Sequence, residues 1–80
     1  MVQRTISIKN FLEPTSVALL VQGASKFKSR ISLVVEEKTA NAKSIMGIIS
    51  LNMQEGQSLN IVAEGEDAAE AVAAMERFFG

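Results

Sequence analysis

Apolar and polar residues alternate from Thr5 to Ile8, with Ile6 and Ile8 apolar and Thr5 and Ser7 polar, which predicts a half-buried strand. Asn10 and Pro14 mark a loop after it, leading into a helix that Thr15 or Ser16 is placed to cap. The period then changes. Val17, Leu20, Val21, Ala24 and Phe27 recur at three- and four-residue steps, an apolar stripe along a first helix ending near Lys28. Ile31, Leu33 and Val35 restore the period of two, and the charged corner Glu36–Glu37 returns the chain through Lys38 to Ala42 as a hairpin. Ser44 precedes the cluster Ile45, Met46, Ile48, Ile49 and Leu51, a short helix with a serine cap. Glu55 and Gly56 form a turn, Leu59, Ile61 and Ala63 alternate as a fourth strand, and Gly65 ends it. Asp67 followed by Glu70 reads as a capping box for a last helix, whose Ala68, Val72, Met75 and Phe79 share one face.

The order is therefore βαββαβα. Two right-handed crossovers of the βαβ type around a mixed pairing would join four strands with the helices on one face, an open-faced α+β sandwich. Eighty residues suffice for one core, so a single domain over residues 1–80 is expected.

Composition narrows the chemistry. The chain has 8 basic and 9 acidic residues, no histidine and no cysteine. A net charge of −1 offers no broad positive field for nucleic acid or an anionic membrane. Lys26, Lys28 and Arg30 cluster only weakly, with Phe27 as the sole aromatic, in the manner of a solvated helix end. Without cysteine there is no disulfide, thiol catalysis or thiolate metal site. Glu64, Glu66 and Asp67 supply only weak oxygen ligands and are better placed to cap a helix, so no metal is expected. Glu36 and Glu37 point to opposite faces, and Gly23 and Gly47 build no phosphate-cradling loop. Neither an enzyme nor a cofactor is expected. The N-terminus lacks a secretory pattern, and the stretch from Ile45 to Leu51 is too short to span a bilayer, so the expected location is the cytoplasm, with no membrane association.

Three stretches carry a family likeness: ALLVQGASKF (residues 18–27), NAKSIMGIISL (41–51) and IVAEGEDAAEA (61–71). Together, with matching spacing, they resemble the bacterial phosphocarrier HPr of the sugar phosphotransferase system over nearly the whole chain. The resemblance implies a four-stranded antiparallel sheet with three helices on one face. In that family a loop before the first helix carries a histidine that takes phosphate from enzyme I and passes it to sugar transporters, with an arginine two residues later. Counting back from residue 18 puts Glu13 at the histidine position and Thr15 at the arginine position, and the loop is shorter than in typical members.

A second family position is a serine phosphorylated by HPr kinase/phosphorylase, which Ser44 matches together with Ile45, Met46 and Gly47. The lost histidine and kept serine are similar to the catabolite-repression HPr-like proteins. The resemblance thus implies a serine-phosphorylated regulator of carbon catabolite control, with Ile45, Met46, Gly47 and Ile49 as a docking surface. Its partners would be HPr kinase/phosphorylase and a catabolite-control transcriptional repressor or a metabolic enzyme. Two alternatives stand beside it: a degenerate phosphocarrier with a residual or phosphate-imitating role at Glu13, and a small-molecule-sensing βαββαβ module.

Overall fold

In the computed structural model, which describes residues 1–9 and 14–79, β2 (Arg30–Val35) and β4 (Ser58–Glu64) form the middle of the sheet. Their alternation supplies its buried face: Ile31, Leu33 and Val35 on one strand, Leu59, Ile61 and Ala63 on the other. β1 (Val2–Ser7) pairs with β4 along one edge and β3 (Lys38–Asn41) with β2 along the other, giving the order β1-β4-β2-β3. α1 (Pro14–Ser25), α2 (Ile45–Ser50) and α3 (Ala68–Arg77) complete the βαββαβα sequence.

Among the described residues every pairing is antiparallel, as the family likeness implies, and the mixed pairing expected around the crossovers does not occur. Both crossovers are present but split. β1 and β2 run the same way with β4 inserted between them, and β3 and β4 run the same way with β2 between them. Parallel neighbours are thereby avoided, and each strand finds an antiparallel partner.

The helices cover the apolar face. α1 contributes Val17, Leu20 and Ala24, α2 contributes Ile48, and α3 contributes Ala68, Ala71, Val72 and Met75, with Phe79 buried just beyond it. Burial of each large side chain is worth about 1.5–3 kcal/mol. The other sheet face is polar: Asn60 Nδ2 donates to Gln3 Oε1 at 3.0 Å, and Thr5 Oγ1 donates to Asn60 Oδ1 at 3.3 Å. Arg4 leans toward α3 and pairs with Glu76 at 2.9 Å, an exposed bridge of little energetic weight.

Three boundaries differ from the sequence reading. β1 starts at Val2, and Ile8, though just past the strand, stays in phase with Ile6 and is fully buried, its amide donating to Gln57 O at 2.9 Å. α1 begins at Pro14, so Thr15 and Ser16 lie inside its first turn and do not cap it. It ends at Ser25; the next residues close tighter turns, Lys26 N to Gly23 O and Phe27 N to Ala24 O.

Candidate functional site

The turn between β3 and α2 fixes Ser44 from several directions. Asn41 Oδ1 accepts from Lys43 N at 2.8 Å, and Asn41 O accepts from Ser44 N at 3.0 Å, an asparagine side chain and its own carbonyl closing the turn. Lys43 reaches across to donate from Nζ to Phe27 O at 2.8 Å, tying this turn to the end of α1. Ser44 then sits at the N-cap with extended backbone, φ −117 and ψ 114, and its Oγ accepts from Gly47 N at 3.1 Å. The serine cap anticipated from the sequence is formed.

Gly47 has a spatial role here. A Cβ at this position would lie 3.3 Å from Ser44 Oγ and 3.4 Å from Ala40 Cβ, so glycine keeps that flank of the hydroxyl uncrowded.

A helix of six residues can turn only one side to the core, and in α2 that side is Ile48. Ile45, Met46 and Ile49 face outward, 46%, 73% and 56% exposed. Ile45 and Ile49 are four apart and Met46 and Ile49 three apart, so the three form one apolar surface directly after Ser44. Leu19 on α1 is also 51% exposed. It lies outside the α1 stripe, one step off the buried positions Val17, Leu20 and Ala24. Thr15 is exposed in the first turn of α1, and Glu13 lies outside the described residues.

The capping box expected of Asp67 and Glu70 is not made. Asp67 occupies the N-cap position of α3, but its carboxylate gives no cap hydrogen bond. Instead it accepts from Lys28 N and Ser29 N, each at 2.9 Å, and from Ser29 Oγ. Ser29 is fully buried at the entry to β2, where its amide and hydroxyl need a partner, and a buried orphan costs more than a missing cap. These bonds, the Ser29 hydroxyl first and then the Lys28 amide, hold the Asp67 carboxyl below its ordinary value, against a smaller opposing effect of burial. Gly65 permits the approach. A Cβ there would come within 2.7 Å of Ser29 Cα, and its φ of +148 suits only glycine.

Among the described residues no three His, Cys, Asp or Glu side chains converge on a metal position. Nor is any helix there long and apolar enough to cross a membrane.

Fold and site together define a class, a βαββαβα open-faced sandwich whose short second helix carries a serine cap beside an exposed apolar turn. The chain belongs to the HPr family of the phosphotransferase system: residues 2–80 match the family model for the PTS HPr component phosphorylation site. It is 41% identical to the phosphocarrier protein HPr of Treponema pallidum over 81 residues, 99% of this chain and 92% of that protein. It is 40% identical to the HPr-like protein Crh of Bacillus subtilis over 74 residues, 90% of this chain and 87% of that one. Among solved structures, HPr-C-His of Thermoanaerobacter tengcongensis superposes with a TM-score of 0.92 at 44% identity, covering 99% of this chain and 91% of that one.

Proposed function

We propose that this protein is a regulatory member of its family, without a phosphorylatable histidine, that is phosphorylated on Ser44 by HPr kinase/phosphorylase and acts in carbon catabolite control. It works in the cytoplasm as one HPr-like domain, and it reads out through a catabolite-control repressor or a metabolic enzyme rather than through sugar uptake. The observation that carries this reading is the adjacency of a capping serine hydroxyl to the exposed apolar surface of Ile45, Met46 and Ile49. The absence of histidine from the sequence removes the imidazole that a phosphoramidate needs.

Physical chemistry supports the pairing of these two features. A phosphoserine brings a charge of about −1.5 to −2 and three acceptor oxygens, which can take over the bond that Ser44 Oγ now accepts from Gly47 N. The fold then survives modification while the surface changes. Charge selects the partner, and the neighbouring side chains supply the area that holds it.

The test incubates the protein separately with HPr kinase and ATP, and with enzyme I and phosphoenolpyruvate, beside an authentic HPr, and reads phosphate by mass. One phosphate from the kinase, absent in Ser44→Ala, and none from enzyme I is the expected result. An authentic HPr modified by the kinase while Ser44 stays unmodified overturns the reading. Enzyme I labelling that disappears in Glu13→Gln would favour a residual carrier role instead.

A further inference from the structure

The ends of α1 and α3 carry the same three-residue spacing. Gly23, Lys26 and Phe27 stand at i, i+3 and i+4, and so do Ala74, Arg77 and Phe78: a small residue, a cation and a phenyl ring each time. Such positions share one face of a helical turn. The turns continue far enough for this to hold, with Phe27 N bonded to Ala24 O and Phe78 N to Met75 O. The two triplets meet and line a single groove of about 350 Å³.

Its parts have separable roles. The floor is low because Gly23 and Ala74 are small; a Cβ on Gly23 would press to 3.2 Å on the Phe78 ring. Phe27 and Phe78 are half-buried and packed against the core, so the rings are held in place rather than free to fold over the groove. Lys26 and Arg77 are exposed. Among the described residues neither is in an ion pair, whereas Arg4 is matched to Glu76 and Lys28 to Glu66. Among the described residues no carboxylate lines the groove.

From this arrangement we infer that the groove binds a small aromatic anion, a single ring carrying a phosphate or carboxylate group. The anionic group is held between Lys26 and Arg77, and the ring lies against Phe27 and Phe78 in offset or edge-to-face contact. The volume falls near the lower end of small-molecule sites, about 300–1,000 Å³, and suits one ring better than a length of peptide. Two cations at helix ends also offset the helix macrodipoles, but that role makes no use of the rings or the groove. The inference is independent of Ser44 and of any kinase.

The probe is phenyl phosphate, titrated into the full chain and followed by amide chemical shifts and melting temperature. Inorganic phosphate and benzyl alcohol serve as charge-only and ring-only controls. Expected are saturable shifts centred on Gly23, Lys26, Phe27, Ala74, Arg77 and Phe78, with a rise in melting temperature that neither control reproduces. The double variant Lys26→Gln/Arg77→Gln alters only exposed groups and should fold as the parent does, yet bind several-fold more weakly. Unchanged affinity in that variant overturns the inference, as do shifts centred on Lys28, Arg30 and Lys43, or inorganic phosphate binding as tightly as phenyl phosphate.

Discussion

Ser44 and Gly65 show how one atom more or less decides a site. Replacing Ser44 by alanine removes the acceptor for Gly47 N and should lower stability by about 1 kcal/mol in urea denaturation, alongside the lost phosphorylation. A loss of several kcal/mol would mean that the hydroxyl holds more than the cap. Gly65→Ala meets two obstacles at once, a positive φ and the Ser29 backbone, and should cost on the order of 3 kcal/mol. A variant as stable as the parent would show that the β4–α3 turn can relax away from Ser29. The residues on either side of that contact were legible only in part. Gly65 was readable as the end of a strand, but its closeness to Ser29 joins positions far apart in the chain, and no local pattern announces it.

Each helix is explained by how much of its surface the sheet can cover. α3 lies over the sheet and α1 packs against α2 and α3, and both bury stripes at helical spacing, so their periodicity was a faithful guide. α2 packs against α1 and β3 through a single turn, and its five apolar residues in the run from Ile45 to Ile49 and on to Leu51 cannot all be buried by it. The pattern therefore identified a helix without saying which residues face out. Met46→Ala should accordingly leave stability nearly unchanged, within about 0.5 kcal/mol, while weakening a partner that docks on this surface. A loss of about 2–5 kcal/mol on thermal denaturation would mark Met46 as a core residue.

Across the whole molecule, the Asp67–Ser29 contact joins the entry of β2 to the start of α3, and it gives folding a defined pH dependence. The folded-state value lies below the ordinary 3.8, so the carboxylate's contribution is fully present above that value and is lost as pH falls from it through the folded-state value. Melting temperature should therefore drop between pH 4 and lower values more steeply in the parent than in Asp67→Asn, and the variant should already be less stable at neutral pH. Parallel pH curves for the two proteins would show that the contact adds nothing.

The sequence by itself determined the order of elements, the buried faces of β2, β4, α1 and α3, the serine cap of α2 and the family likeness, because each is written in residues close together along the chain. Tertiary structure alone decided the strand order, in which β4 separates β1 from β2 and removes the mixed pairing. It also decided the fate of Asp67. A sequence offers the local bond from carboxylate to helix start, but in the folded chain the buried amide and hydroxyl of Ser29 compete for the same oxygens, and the group that cannot reach water wins.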